Sequence, residues 1–327
     1  MTATNGEEAM KTSIGRAAIT VAVIALAACS GNKGEAGAGE EGGRPVASAG
    51  TGTGEQAAEA APGCPPPARK DLTGPDILGI KLGMGHEDAL AATRCALGAD
   101  AVVTTEKRWF DRLDTQGVQL GPQSFLAKQG ESRPCNYARE WQECEGKLKW
   151  ERLGEAVSVA TPGAPGKEQA VAIWRSQYFQ EGKMPTVDAT VAALEAKYGK
   201  PQAIESQGDS GYYKFAGSRE LQWVQASNGA PLSDPNPMFA LCRNGISGTA
   251  DGSNNVSWRE GCGLNITATL NLHRANPALV SELHVRMVDQ SRLLVHAKAT
   301  EEELRRQGDA RRAEEVRQAG GASDVRL

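Results

Sequence analysis

No stretch of this chain is long and apolar enough to span a bilayer. The run from Ala17 to Ala25 is far short of the ~20 residues a membrane helix needs. Basic charge is not in excess either: the formal net charge is −4, which argues against nucleic acid, whose binders carry clustered Lys and Arg. It argues equally against electrostatic docking on anionic lipid. No Cys-x-x-Cys occurs, so neither a thioredoxin-type redox site nor a zinc ribbon is expected. The four histidines have no His or Cys partner at ligand spacing. They are expected to be solvated, and no metal or other cofactor is implied. Aromatic residues make up only 5% of the chain, but six of them are Trp, so each should matter to packing.

What is present first is an address. Lys11 and Arg16 precede the apolar run, and Leu26-Ala27-Ala28-Cys29 closes it. Basic, apolar and small residues in that order are the layout of a secretory signal over residues 1–28. Glu7 and Glu8 are acid where such a signal is basic, so Met10 is the expected start. The tetrad resembles the lipobox of bacterial lipoproteins. That resemblance implies cleavage before Cys29 and a diacylglycerol on its thiol, with palmitate as the expected acyl chain. Several chains on one residue anchor a protein firmly where a single one does not. Ser30 follows where enterobacterial lipoproteins retained in the inner membrane carry Asp, so the resemblance implies the periplasmic face of the outer membrane.

From residue 30 to 67 the chain is Gly, Ala, Glu, Ser and Pro, with too little apolar surface to offset the entropy of ordering. Residues 29–67 are therefore expected to be a lipidated cysteine and a disordered tether, with a reach of roughly 30–40 Å. Six cysteines remain in an exported chain: Cys64, Cys95, Cys135, Cys144, Cys242 and Cys262. That even set reads as disulfides, and several connectivities are open. Loop length favours Cys135–Cys144 and Cys242–Cys262, which leaves Cys64 with Cys95.

The folded part reads as α+β: antiparallel sheets packed by helices on one face, in two related units over residues 68–160 and 161–298, then a charged helical tail over 299–327. A strand from Asp76 to Leu82 leads to a helix from Glu87 to Leu97, with acid in its first turn and Gly98 after it. Thr161 to Gly166 is a Pro/Gly loop between strands. A second helix runs from Val187 to Tyr198 between Thr186 and Gly199. Leu264 to Leu272 alternates apolar and polar residues without error, which predicts a strand with one buried and one wet face, paired with Leu279 to Val288. Leu272 opposite Leu279 would put His284 opposite Thr267. In the tail, Thr300 and Glu303 form a capping box.

Met84, Asp88, Ala89 and Ala92 match Met184, Asp188, Ala189 and Ala192, one hundred residues apart, which suggests a duplication. Leu82-Gly83-Met84 before a glycine-ended helix, and Tyr198-Gly199-Lys200-Pro201, resemble the helical unit of small outer-membrane-assembly lipoproteins of the SmpA/BamE type. The likeness covers some twenty residues per window and departs at Gly85, where that family has Ser or Thr. It implies fold and compartment, not a shared partner.

Candidate chemistry is sparse. Gly208-Asp209-Ser210-Gly211 resembles the nucleophile segment of chymotrypsin-like proteases, with His86 and Asp111 or Asp188 in the right order. Tyr212-Tyr213 replaces the family's Gly-Pro, and Gly-Asp-Ser-Gly is also a good turn. Asp251 to Asn255 lacks the glycine and glutamate of an EF-hand and reads as a polar loop clamped by Cys242 and Cys262. Exposed Trp side chains could stack on glycans, although Trp223, in phase with Leu221, reads as core. The expectation is a non-catalytic binding or scaffolding lipoprotein with an envelope protein or peptidoglycan as partner and no nucleic acid. A serine hydrolase centred on Ser210 is the alternative, or a peptidoglycan binder. Unreduced intact-mass and peptide spectrometry on protein from native membranes should find acylated Cys29 at the N-terminus. A free, unmodified Cys29 thiol would remove the anchor.

Overall fold

The computed structural model describes residues 72–106, 113–134, 149–208 and 215–320. Cys29, Cys64, Cys135, Cys144, Asp111, Ser210, Trp109 and Trp141 lie outside these, as do the signal and the tether. The described chain is α+β around one eight-stranded antiparallel sheet. A short hairpin comes first, β1 (Asp76–Ile77) and β2 (Ile80–Lys81). Helix α1 (His86–Leu97) then leads into β3 (Val102–Glu106), β4 (Ser124–Pro134), β5 (Lys149–Ala160) and β6 (Ala172–Tyr178). Helix α2 (Val187–Tyr198) leads into β7 (Ala203–Gly208) and β8 (Gly217–Ala226). An excursion carries α3 (Pro237–Cys242), β9 (Ile246–Gly248) and β10 (Asn254–Val256). The chain re-enters the sheet as β11 (Cys262–Leu272) and β12 (Val280–Asp289) and ends in α4 (Gln290–Ala319).

Strand order across the sheet is β3-β4-β5-β6-β12-β11-β8-β7. It reads as two meanders, each a helix followed by four strands, joined through their last strands β6 and β12. The two halves share details. In each, the chain entering the fourth strand is pinned under the helix start: Ala170 N, two residues before β6, donates to Met84 O at 2.7 Å, and Val280 N, at the start of β12, donates to Pro185 O at 2.9 Å. Gly85 bridges Gln169 as Thr186 bridges Leu279. Each helix ends at a glycine with positive φ, Gly98 at 96° and Gly199 at 80°, which an L side chain rarely adopts.

The helix starts and the glycine stops are thus 101 residues apart, one more than the sequence match at Met84 and Met184 implies. Burial explains the difference. His86, Ala89 and Thr93 face the sheet on α1, and Val187, Thr190 and Leu194 do so on α2. Ala189, the sequence match of buried Ala89, is exposed. Small residues recur easily in an alanine-rich helix and do not report phase. The N-caps differ: Thr186 accepts a hydrogen bond from Ala189 N, while Gly85 has no side chain to do so.

One sheet face is apolar and lies under α1 and α2. Phe125, Val157, Val159, Ile173, Leu221, Ile266, Leu270, Val285 and Met287 are buried there against Leu90, Leu97, Val187 and Leu194. Trp223 closes the edge, its ring T-stacked on Tyr198 and its indole N–H donating to Gly199 O at 2.8 Å. Helix α4 starts at Gln290 with Asp289 as N-cap, so Thr300 is no capping residue: its hydroxyl donates inside the helix to His296 O. Leu293 and Leu304 are fully buried, which makes the first half of α4 part of the body. Farther along, pairs such as Arg312–Asp309 and Arg317–Glu314 decorate an exposed face, where each contributes little. Truncating fully buried Leu270 to Ala should lower unfolding free energy by about 2–5 kcal/mol in urea titrations. Val102→Ala, on an exposed edge strand, should stay within about 0.5 kcal/mol.

Candidate functional site

The opposite face of the sheet has a polar centre flanked by apolar patches around Trp174 and Val224, and most of it is covered. Period-two alternation puts Glu220 and Gln222 of β8, Asn265, Thr267, Thr269 and Asn271 of β11, Glu282, His284 and Arg286 of β12, and Ser176 and Tyr178 of β6 on that side. Gln222, Asn265, Thr267, Ser176 and His284 are all buried. The cover is the excursion between β8 and β11. The Cys242–Cys262 disulfide ties the end of α3, midway along it, to the start of β11, with Cα atoms 5.3 Å apart. Cys95 is disulfide-bonded as well.

From Cys242 to Asn254 the cover is seated on side chains of the sheet. Asn265 donates to Cys242 O and Arg243 O at 2.8 and 2.6 Å. Trp174 donates its indole N–H to Ser247 O at 2.9 Å. Ala250 N donates to Ser176 Oγ at 3.0 Å, and Tyr178 OH donates to Asp251 Oδ1 at 2.7 Å. Asn254 donates to Ser158 Oγ at 3.1 Å. The polar residues of the strands thus satisfy the backbone groups of a loop that would otherwise be buried unpaired, a desolvation cost of about 1–3 kcal/mol each.

Under this cover Ser176, His284 and Glu282 form a line. Ser176 Oγ is 2.9 Å from His284 Nδ1, and His284 Nε2 is 3.3 Å from Glu282 Oε2, which also accepts from Asn271 Nδ2 at 3.1 Å. The residue types are those of a nucleophile, a base and its orienting acid. Access is not: Ser176 has no exposed surface, and its hydroxyl already accepts Ala250 N–H. A second cluster lies alongside, with Arg286 Nη2 3.0 Å from Glu220 Oε2 and 2.7 Å from Thr269 Oγ1. Burial pulls the Arg286 guanidinium below its usual range, and Glu220 opposes that pull. Arg286 Nε and Gln222 Oε1 are buried without a partner among the described residues.

The residues singled out by sequence fall as follows. His284 stands opposite Thr269, not Thr267, because the hairpin pairs Leu272 with Val280 across an irregularity after Asn271. His86 is buried too, its Nδ1 2.7 Å from Thr161 Oγ1, and His296 Nε2 is 2.6 Å from Pro162 O. Solvated histidines were the wrong expectation for His86 and His284: both are satisfied inside the protein. The two loop contacts, with Gln123 bonding both backbone groups of Gly163, hold the Pro/Gly loop in place. Asp188, offered with His86 for the Ser210 reading, is exposed on α2. Asp251 and Asn254 are committed to Tyr178 and Ser158, and no cluster of metal-binding side chains occurs among the described residues. Trp174 and Trp223 are core, while Trp258 is 41% exposed. Sequence reasoning missed Ser176, Glu282 and Tyr178. The available signal was the length of polar excursion that had to be seated between two sheet strands.

No protein family, curated protein or solved structure matches the chain.

Burial, then the Asp251 carboxylate, push the Tyr178 phenol well above its usual ~10. Burial, then the charge of Asp76, do the same at Tyr198, with Arg175 opposing. Unfolded tyrosine releases its proton near pH ~10 while the folded protein retains it, so this contribution is complete below ~10 and is lost as pH rises further. Urea titrations from pH ~8 to ~11 should show falling stability, with a shallower slope in a Tyr178→Phe/Tyr198→Phe variant. An unchanged slope would remove both phenols from the alkaline transition.

Proposed function

We propose that this chain is an outer-membrane lipoprotein on the periplasmic side, anchored at Cys29, that binds or scaffolds envelope components without catalysis. The observation that carries the non-catalytic part is the state of Ser176–His284–Glu282. Its serine lies beneath Ala250 and holds that loop on the sheet, where a nucleophile needs an open path to its substrate. The address rests on Leu26-Ala27-Ala28-Cys29, and the mildly acidic charge is consistent with a protein or peptidoglycan partner. An anchored body on a leash of roughly 30–40 Å would search the nearby periplasm, a layout that suits capture and tethering.

Mild crosslinking in intact cells followed by purification should recover defined envelope proteins, and Cys29→Ala should release the protein from the membrane and lose them. Recovery of nothing under several crosslinking conditions would count against scaffolding. Retention on isolated sacculi that is lost on replacing Trp258 would assign peptidoglycan instead. A covalent serine probe that labels wild type but not Ser210→Ala would replace the whole reading with the hydrolase.

A further inference from the structure

The apolar face has a gap where the two halves meet. Helices α1 and α2 cover their own meanders, and the β1–β2 hairpin covers the junction of β6 and β12 between them. It is pinned to α2 at one corner, where Tyr198 OH donates to Asp76 O at 3.0 Å and Lys197 Nζ is 3.0 Å from Asp76 Oδ1. Beneath it a cavity of about 240 Å3 remains, with Leu78, Leu194, Leu283 and Val285 among its walls. That is below the ~300–1,000 Å3 of sites for drug-sized ligands, so its occupant is small.

Two further observations make this more than a packing defect. The hairpin turns through Leu78 and Gly79, both at positive φ, 55° and 77°. A two-residue turn of this kind favours Asn-Gly, and a bulky residue there is strained. Asparagine in place of Leu78 would relieve the strain and leave the cavity without that wall; strain of this kind gathers at ligand clamps. The rim also carries a guanidinium with one edge free. Arg175 donates from Nε to Glu155 and from Nη2 to Gln177 Oε1 at 3.1 Å, which leaves Nη1 uncommitted among the described residues. Lys197 Nζ, with one of its donors on Asp76, stands at the same rim.

We propose that this cavity binds a medium-chain carboxylate. Its hydrocarbon chain lies against Leu78, Leu194, Leu283 and Val285, and its carboxylate is held by Arg175 Nη1 with Lys197 alongside. Glu155 and Asp76 neutralise the two cations in the free protein, so the anion is recognised by directed N–H groups more than by net charge. The site does not depend on the membrane anchor or on an envelope partner, and its failure would leave that reading untouched.

The test is a methyl-resolved NMR titration of the purified protein with sodium octanoate and, separately, 1-octanol. Octanoate should shift the methyl groups of Leu194, Leu283 and Val285 saturably, and 1-octanol should bind at least tenfold more weakly. Arg175→Gln should weaken octanoate at least tenfold. Because that change also strands Glu155, a second variant is needed: Ala193→Trp, at an exposed α2 position lining the mouth, should abolish binding in a folded protein. No saturable shift in wild type, equal binding of the alcohol, or binding unaffected by Ala193→Trp would each overturn the assignment.

Discussion

The seam between β6 and β12 is the constraint on which the rest of the molecule depends. Seven consecutive residue pairs, from Ala172 opposite Val288 to Tyr178 opposite Glu282, join the last strand of one meander to the last strand of the other. On one side of the seam Ile173 meets Met287 and continues the apolar layer beneath the helices. On the other, Trp174 meets Arg286, Ser176 meets His284 and Tyr178 meets Glu282, which puts the polar cluster at the centre of the sheet. A slip of one residue would exchange these faces and place Arg286, His284 and Glu282 under the helices. Register here is therefore strongly specified, and each half stabilises the other by giving its fourth strand a partner.

A sheet with a polar side needs either water or a satisfying cover. This chain has the cover, inserted between the second and third strands of the second half. The short helix α3 and the β9–β10 hairpin stiffen it, and the disulfide fastens the end of α3 to the start of β11. Buried polar networks are costly where any member lacks a partner and specific where all have one. Here side chains of the sheet meet backbone groups of the cover, with Tyr178–Asp251 and Asn254–Ser158 as side-chain pairs, so the network determines how the loop sits. The exceptions, Arg286 Nε and Gln222 Oε1, flank Thr267 in one cross-strand row, since β11 pairs that threonine with both residues.

The alternation from Leu264 to Leu272 was legible because apolar burial has a period of two in a strand. The fate of its polar residues was not. Thr267 and Asn265 give the same sequence signal whether they face solvent or a polar loop, because alternation reports only that a residue is not in the apolar layer. The helices α1 and α2 were legible from their glycine stops, while their relative phase was hidden by alanine. The start of α4 was misread because Thr300 and Glu303 satisfy the capping pattern in the middle of a helix. The real N-cap, Asp289, ends a strand with no intervening loop. Ser176, Glu282 and His284 come from distant parts of the chain, and their meeting requires the β6–β12 register that no local pattern carries.

The two halves are equivalent in their helices and strands and differ where each begins. Residues before α2 are β6 and its exit turn, already committed to the sheet. The described residues before α1 fold instead as the β1–β2 hairpin. A near-symmetric pair of meanders leaves a space between its helices along the seam, and whatever fills it must come from outside the symmetric parts. The hairpin is that filler, clamped to α2 through Asp76 and packed on the core by Ile77 and Ile80. Its two strands are only two residues each, too short to cover the seam fully. A cavity at this place is thus a consequence of building the sheet from two matched halves. The strained Leu78 at the tip and the half-engaged Arg175 at the rim are what distinguish it from an ordinary packing defect.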